Sequence, residues 1–115
     1  MLNHVALTVR DRERSAAFYG AHFGLTQRLH DDPHRLILGE RDGGGVLALS
    51  EGEPPTPLPH TNHFGFQLPE QEQVRAARAR LRDAGVPEAE WQDDGWIARV
   101  QVTDPDGYRV ELYAF

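Results

Sequence analysis

The chain has no cysteine among its 115 residues and no lysine, because all 12 of its basic residues are arginine. Without cysteine there is no thiol nucleophile, no disulfide framework, no iron–sulfur cluster and no cysteine-ligated zinc. Without lysine there is no Schiff-base chemistry, no covalently held pyridoxal phosphate and no phosphate-loop lysine. Long apolar runs are also missing, so no transmembrane helix and no membrane partner are expected. The opening MLNHVALTV lacks a basic segment leading into a long apolar stretch. No secretory signal is therefore expected, and the cytoplasm is the expected compartment. Positive charge is in deficit: the formal net charge is -6 with histidine neutral. That argues against a nucleic-acid surface. What remains for chemistry is six histidines, 18 acidic residues, tyrosines and hydroxyls. This set suits acid–base chemistry or metal ligation through nitrogen and oxygen.

The pattern along the chain repeats. Residues 3–9 (NHVALTV) alternate, with His4, Ala6 and Thr8 on one face and Val5, Leu7 and Val9 on the other. Asp11 offers an N-cap, and a helix to Phe23 follows, with Ala16, Tyr19 and Phe23 as its apolar stripe and Phe18 and His22 beside it. Strands are expected at 26–30, 35–39 and 46–50. Residues 51–61 (EGEPPTPLPHT) carry four prolines and read as a stiff linker able to span roughly 30 Å. The plan then recurs. Residues 62–68 (NHFGFQL) alternate, a helix is expected at 70–84, and strands are expected near 89–92, 97–103 and 108–114. The spacing predicts one domain over residues 1–115, built from two βαβββ modules at 1–50 and 62–115.

The repeat singles out three side chains. His4 and His63 take the same position in the first strand of each module. Glu111 lies in the last strand, on the face it shares with Arg109 and Tyr113. If helices cover one side of the sheets, all three project from the other. Two imidazoles and one carboxylate form a facial triad for a divalent ion and leave coordination positions open for substrate and water. The ion can be Fe, Mn, Zn, Ni or Co. Arg99 and Gln101 share the same face as possible substrate contacts, with Arg99 pairing to Glu111 or reaching solvent at the rim as the alternative. Arg109, nearer the strand's start, reads as one partner of a rim salt bridge. Trp91 and Trp96 read as pocket walls or as cover for a sheet edge. The arginines of the second helix read as a solvated face, and His22, His30, His34 and His60 read as helix or loop surface.

Three segments carry a family resemblance: LNHVALTVRDRERSAAFY, TNHFGFQL followed by RLRDAGV, and DPDGYRVELY. The chain resembles the vicinal oxygen chelate superfamily, which includes glyoxalase I, bleomycin-resistance proteins, extradiol dioxygenases and fosfomycin-inactivating transferases. The resemblance implies an α+β fold of two tandem βαβββ modules forming a curved mixed sheet cup. It carries the metal ligands onto His4, His63 and Glu111. It also implies a homodimer, with the cavity between modules of the two chains. The match is incomplete. Ala48 stands where glyoxalase I has a carboxylate, and Gln101 stands where extradiol dioxygenases have a tyrosine. The absence of lysine departs from the fosfomycin transferases.

The resulting expectation is a metal-dependent enzyme acting on a small oxygen-rich molecule. Thr8, Gln67, Arg99, Gln101, Trp91, Trp96 and Tyr113 are the candidate substrate contacts. The rival is a metal-free, bleomycin-resistance-type protein that sequesters a small molecule. A third reading is a module that serves dimerisation alone.

Overall fold

A computed structural model describes residues 2–115. Ten elements follow in order: β1 (His4–Val9), α1 (Arg12–Phe23), β2 (Gln27–Asp31), β3 (Leu36–Gly39), β4 (Val46–Glu51), β5 (His63–Gln67), α2 (Gln71–Asp83), β6 (Glu88–Asp93), β7 (Ala98–Thr103) and β8 (Arg109–Ala114). They form two mixed four-stranded sheets, ordered β1-β4-β3-β2 and β5-β8-β7-β6. In each, the first strand runs parallel to the last, and the remaining pairs are antiparallel. One compact unit ends at Pro57 and a second begins at Leu58, so the division falls inside the proline-rich stretch. Among the described residues no helix is long and apolar enough to cross a membrane.

In the first unit, Asp11 caps α1, its carboxylate accepting from the Glu13 and Arg14 amides at 3.0 and 3.1 Å. The helix stops at Gly24. Its core-facing pair is Ser15 and Tyr19, both fully buried, one helical turn apart. Ala16, Phe18, His22 and Phe23 are half-buried instead, which shifts the stripe from the one expected. The rings of Phe18, Tyr19 and Phe23 pack on one another, and Phe18 also meets His22. They bury apolar area within the helix as well as against the sheet, where Leu36, Leu38, Leu47 and Leu49 close the core.

In the second unit, α2 places Val74, Ala77 and Leu81 against β7 and β8, over Val100, Val102, Val110 and Leu112. The Gln73 side chain accepts from the Glu70 amide at 2.9 Å and helps start the helix. The expected solvated arginine face is in part a clamp. Arg75 binds Asp93 through two bonds of 2.8 and 3.0 Å, and Arg78 binds Glu88 through two of 2.7 and 3.1 Å. The Arg78 guanidinium also lies over the Trp91 ring, 4.2 Å from its centroid. Arginine reaches from helix to edge strand because its planar fork matches a carboxylate and its face matches an indole.

The turn before β8 is set by Asp104, which is buried and accepts from the Asp106 and Tyr108 amides at 2.9 Å each. Gly107 takes φ 94° there, a conformation that a Cβ disfavours. The turn fixes where β8 begins, and so which of its residues face away from α2.

Candidate functional site

Strand register places the candidate ligands. In the first unit His4 pairs with Val46 and Ala6 with Ala48; in the second, His63 pairs with Arg109 and Gly65 with Glu111. His4 and His63 are therefore equivalent positions, and Ala48 is the counterpart of Glu111. Val110 and Leu112 pack toward α2, so alternation turns Arg109, Glu111 and Tyr113 to the open face of the second sheet.

A cavity of about 310 Å³ lies on this face. His63, Arg99, Gln101 and Glu111 line it, together with His60, Thr61 and Glu90. Glu111 is nearly buried, and its two oxygens have different surroundings. Oε1 accepts from Arg99 Nη1 at 3.0 Å and from Gln101 Nε2 at 3.2 Å. Oε2 lies 3.8 Å from His63 Nε2. On the far side of that ring, Nδ1 donates to the Thr61 carbonyl oxygen at 2.9 Å. A carbonyl only accepts, so that bond puts a proton on Nδ1. In the neutral ring Nε2 then carries a lone pair, and two acceptors face one space. A proton on Nε2 or a shared cation satisfies that arrangement.

The donor set fits a divalent ion. Ligand bonds of about 2.1 Å place two donors roughly 3 to 4 Å apart, the range of the observed pair. A histidine with its far nitrogen held by a carbonyl, and a carboxylate with its far oxygen held by hydrogen bonds, match the outer support that metal ligands use. His4 belongs to the first unit, is exposed, and has Nδ1 3.3 Å from the Asn3 side-chain oxygen. Among the described residues no group of three metal-capable side chains is gathered at one point. The structure thus brings together two of the three candidate ligands.

Arg99 is a strut for Glu111. Its Nε donates to Gln92 at 2.8 Å, and its Nη1 is shared between Glu90 and Glu111. The hydrogen bond to Glu90 chiefly holds the guanidinium above its ordinary range and Glu90 below the usual carboxylate range. Gln101 is buried beside it.

The remaining candidates are distributed differently. Gln67 and Tyr113 are register partners on the open face. Trp96 is exposed and packs at a tilt against Phe115, which in turn meets Tyr113, so these three rings form a cluster at the end of β8. Trp91 pairs with Val100 and sits under Arg78, on the helix-covered side. Thr8 lies half-buried on β1 of the first unit. Arg109 reaches His60 Nδ1 at 2.9 Å, not the carboxylate expected of a rim salt bridge.

Three lining residues escaped the sequence reading. His60 and Thr61 had no strand to place them. Glu90 is turned inward because pairing slips between Glu88 and Glu90. Glu88 thus faces Arg78 while Glu90 faces Arg99. Strict alternation would put both on one side.

The chain belongs to the Glyoxalase/Bleomycin resistance protein/Dioxygenase superfamily, whose family model matches residues 1–112. It is 29% identical over 119 aligned residues to a catechol-2,3-dioxygenase of Bacillus subtilis (strain 168), covering 98% of this chain and 41% of that protein. The chain therefore spans less than half the length of this relative. A possible glyoxalase from Bacillus cereus superposes with a TM-score of 0.78 at 27% identity, covering 97% of this chain and 96% of that one. The fosfomycin resistance protein FosX from Listeria monocytogenes, in a complex with Mn(II) and sulfate, superposes with a TM-score of 0.80 at 20% identity. That match covers 100% of this chain and 92% of FosX, and it shows a shared fold.

Proposed function

We propose that the chain is a metal-dependent enzyme acting on a small oxygen-rich molecule, with a divalent ion held by His63, Glu111 and His4. The observation that carries this reading is the convergence of His63 Nε2 and Glu111 Oε2 at 3.8 Å, each with its other polar atom already held. When bound, the ion supplies Lewis-acid polarisation and a template for adjacent substrate oxygens. The chain's own residues do the rest. The Thr61 carbonyl orients His63, while Arg99 and Gln101 fix Glu111. Gln67 and Tyr113 flank these on the open face and contact the substrate. Thr8 does so from the first module. A set of nitrogen and oxygen donors suits Mn, Fe, Co, Ni or Zn, and the Mn(II) complex of FosX makes manganese the first ion to try. His4 reaches the centre from a second copy of the chain, in a homodimer that combines modules of two chains.

Calorimetric titration of the full chain with Mn(II) tests the centre. One ion per chain is expected. His63→Ala and Glu111→Gln should each weaken binding by more than about 100-fold, the upper end for loss of an outer support alone. Wild-type affinity no better than that of the double variant would overturn the reading.

The aromatic cluster of Trp96, Tyr113 and Phe115 favours a second reading, metal-free sequestration of a ligand with a flat apolar part. That reading requires the double variant to retain the wild type's ligand affinity.

A further inference from the structure

His60, which the sequence placed at the surface, lines the cavity of the second module. Its Nδ1 lies 2.9 Å from Arg109 Nη2. A guanidinium only donates, so Nδ1 is the acceptor and the ring proton sits on Nε2. His60 is thereby a neutral imidazole whose remaining polar atom is a donor.

Charge and donor accounting point to what that donor meets. Glu90 and Glu111 both accept from Arg99, so the carboxylates of the cavity already have cationic partners. Arg109 makes no ion pair with a carboxylate among the described residues, although its charge reaches Glu90, and its Nη1 is buried without a hydrogen-bond partner there. Buried polar groups left this way are rare and call for a cause, and a fixed charge behind His60 is one. The lining holds two glutamates and one arginine, and Arg109 behind His60 brings the surroundings to neutrality before any ion binds. A bound dication then leaves an excess of positive charge, which an acidic ligand offsets. Donors free to meet such a ligand include the His60 Nε2–H and the Thr61 hydroxyl.

We propose that His60, held in its Nε2–H form by Arg109, binds an anionic oxygen of the substrate, which makes acidic small molecules the substrate class. This rests on the reading of the cavity as the substrate site. His60 is the substrate-binding residue and Arg109 its positioning residue.

Oxalate, a small dianion with adjacent oxygens, is the probe. It is titrated into the Mn(II)-loaded full chain. His60→Ala should weaken oxalate binding about tenfold, the scale of one hydrogen bond to a charged group, with Mn(II) affinity unchanged. His60→Gln, which restores an N–H donor, should recover most of the loss. Equal oxalate affinity in wild type and His60→Ala overturns the proposal while leaving the metal centre intact. If the wild type takes up no Mn(II), the metal reading falls, and the same variants are compared with inorganic phosphate on the metal-free chain. Nitrogen-15 NMR of the histidine rings reads the positioning directly. Wild-type His60 should show a proton on Nε2 alone, and Arg109→Leu should give a mixture of tautomers. A proton on Nδ1 in the wild type contradicts the proposal.

Discussion

Glu111 depends on a residue with no side chain. A Cβ on Gly65 would lie 2.7 Å from the Glu111 carbonyl oxygen and 2.9 Å from its Cβ. Those contacts are closer than packed atoms tolerate, and the nearest is backbone, which cannot swing away. At the equivalent place in the first unit, Ala6 stands opposite Ala48. Gly65→Ala should therefore destabilise the protein by about 1–3 kcal/mol, the usual cost of overpacking, and weaken Mn(II) binding as β8 shifts. Urea denaturation and metal titration on the same sample check both. Retained stability with full metal affinity would mean that the strands adjust freely. At this scale the strand positions of His4, His63 and Glu111 were legible because each begins or centres a strand whose alternation is clean. His60 and Glu90 were not, because one lies on a proline-rich loop and the other follows a slip in pairing that no local pattern announces.

The helices and strands were largely readable, since caps, glycines and periodic apolar residues agree with one another. Contacts between elements were not. Arg75 and Arg78 look like ordinary surface charges until β6 is placed beside α2. Their bonds hold the Asp93 and Glu88 carboxyls below the usual carboxylate range. Acids strengthened by folding stabilise the fold fully above their unfolded values of about 4, and that stabilisation is lost as pH falls through the lowered folded values. Exposed ion pairs are individually weak, so the effect is a graded one. The thermal midpoint should fall between pH 6 and pH 3, and fall less in the double variant Arg75→Ala/Arg78→Ala, which has already lost the clamp. An equal fall in both proteins would assign the acid sensitivity elsewhere.

For the whole molecule, the repeat was visible because each module carries its own strand–helix–strand plan and its own Asn-His opening. How the modules meet in an assembly is written in no local pattern, and on the proposed homodimer the metal centre depends on it. Mixing two variants with incomplete centres tests the sharing. His4→Ala is combined with His63→Ala/Glu111→Gln under conditions that allow chains to exchange. A centre built across two chains should reappear, with one intact site in each mixed dimer. A centre built within one chain stays lost.

The central claim, that one divalent ion joins His4 to His63 and Glu111, is read most directly by pulsed electron paramagnetic resonance on the Mn(II)-loaded chain. Nitrogen couplings from two imidazoles are the expected result in the wild type, with one remaining in His4→Ala and one in His63→Ala. Couplings unchanged in either variant, or none in the wild type, would contradict the account.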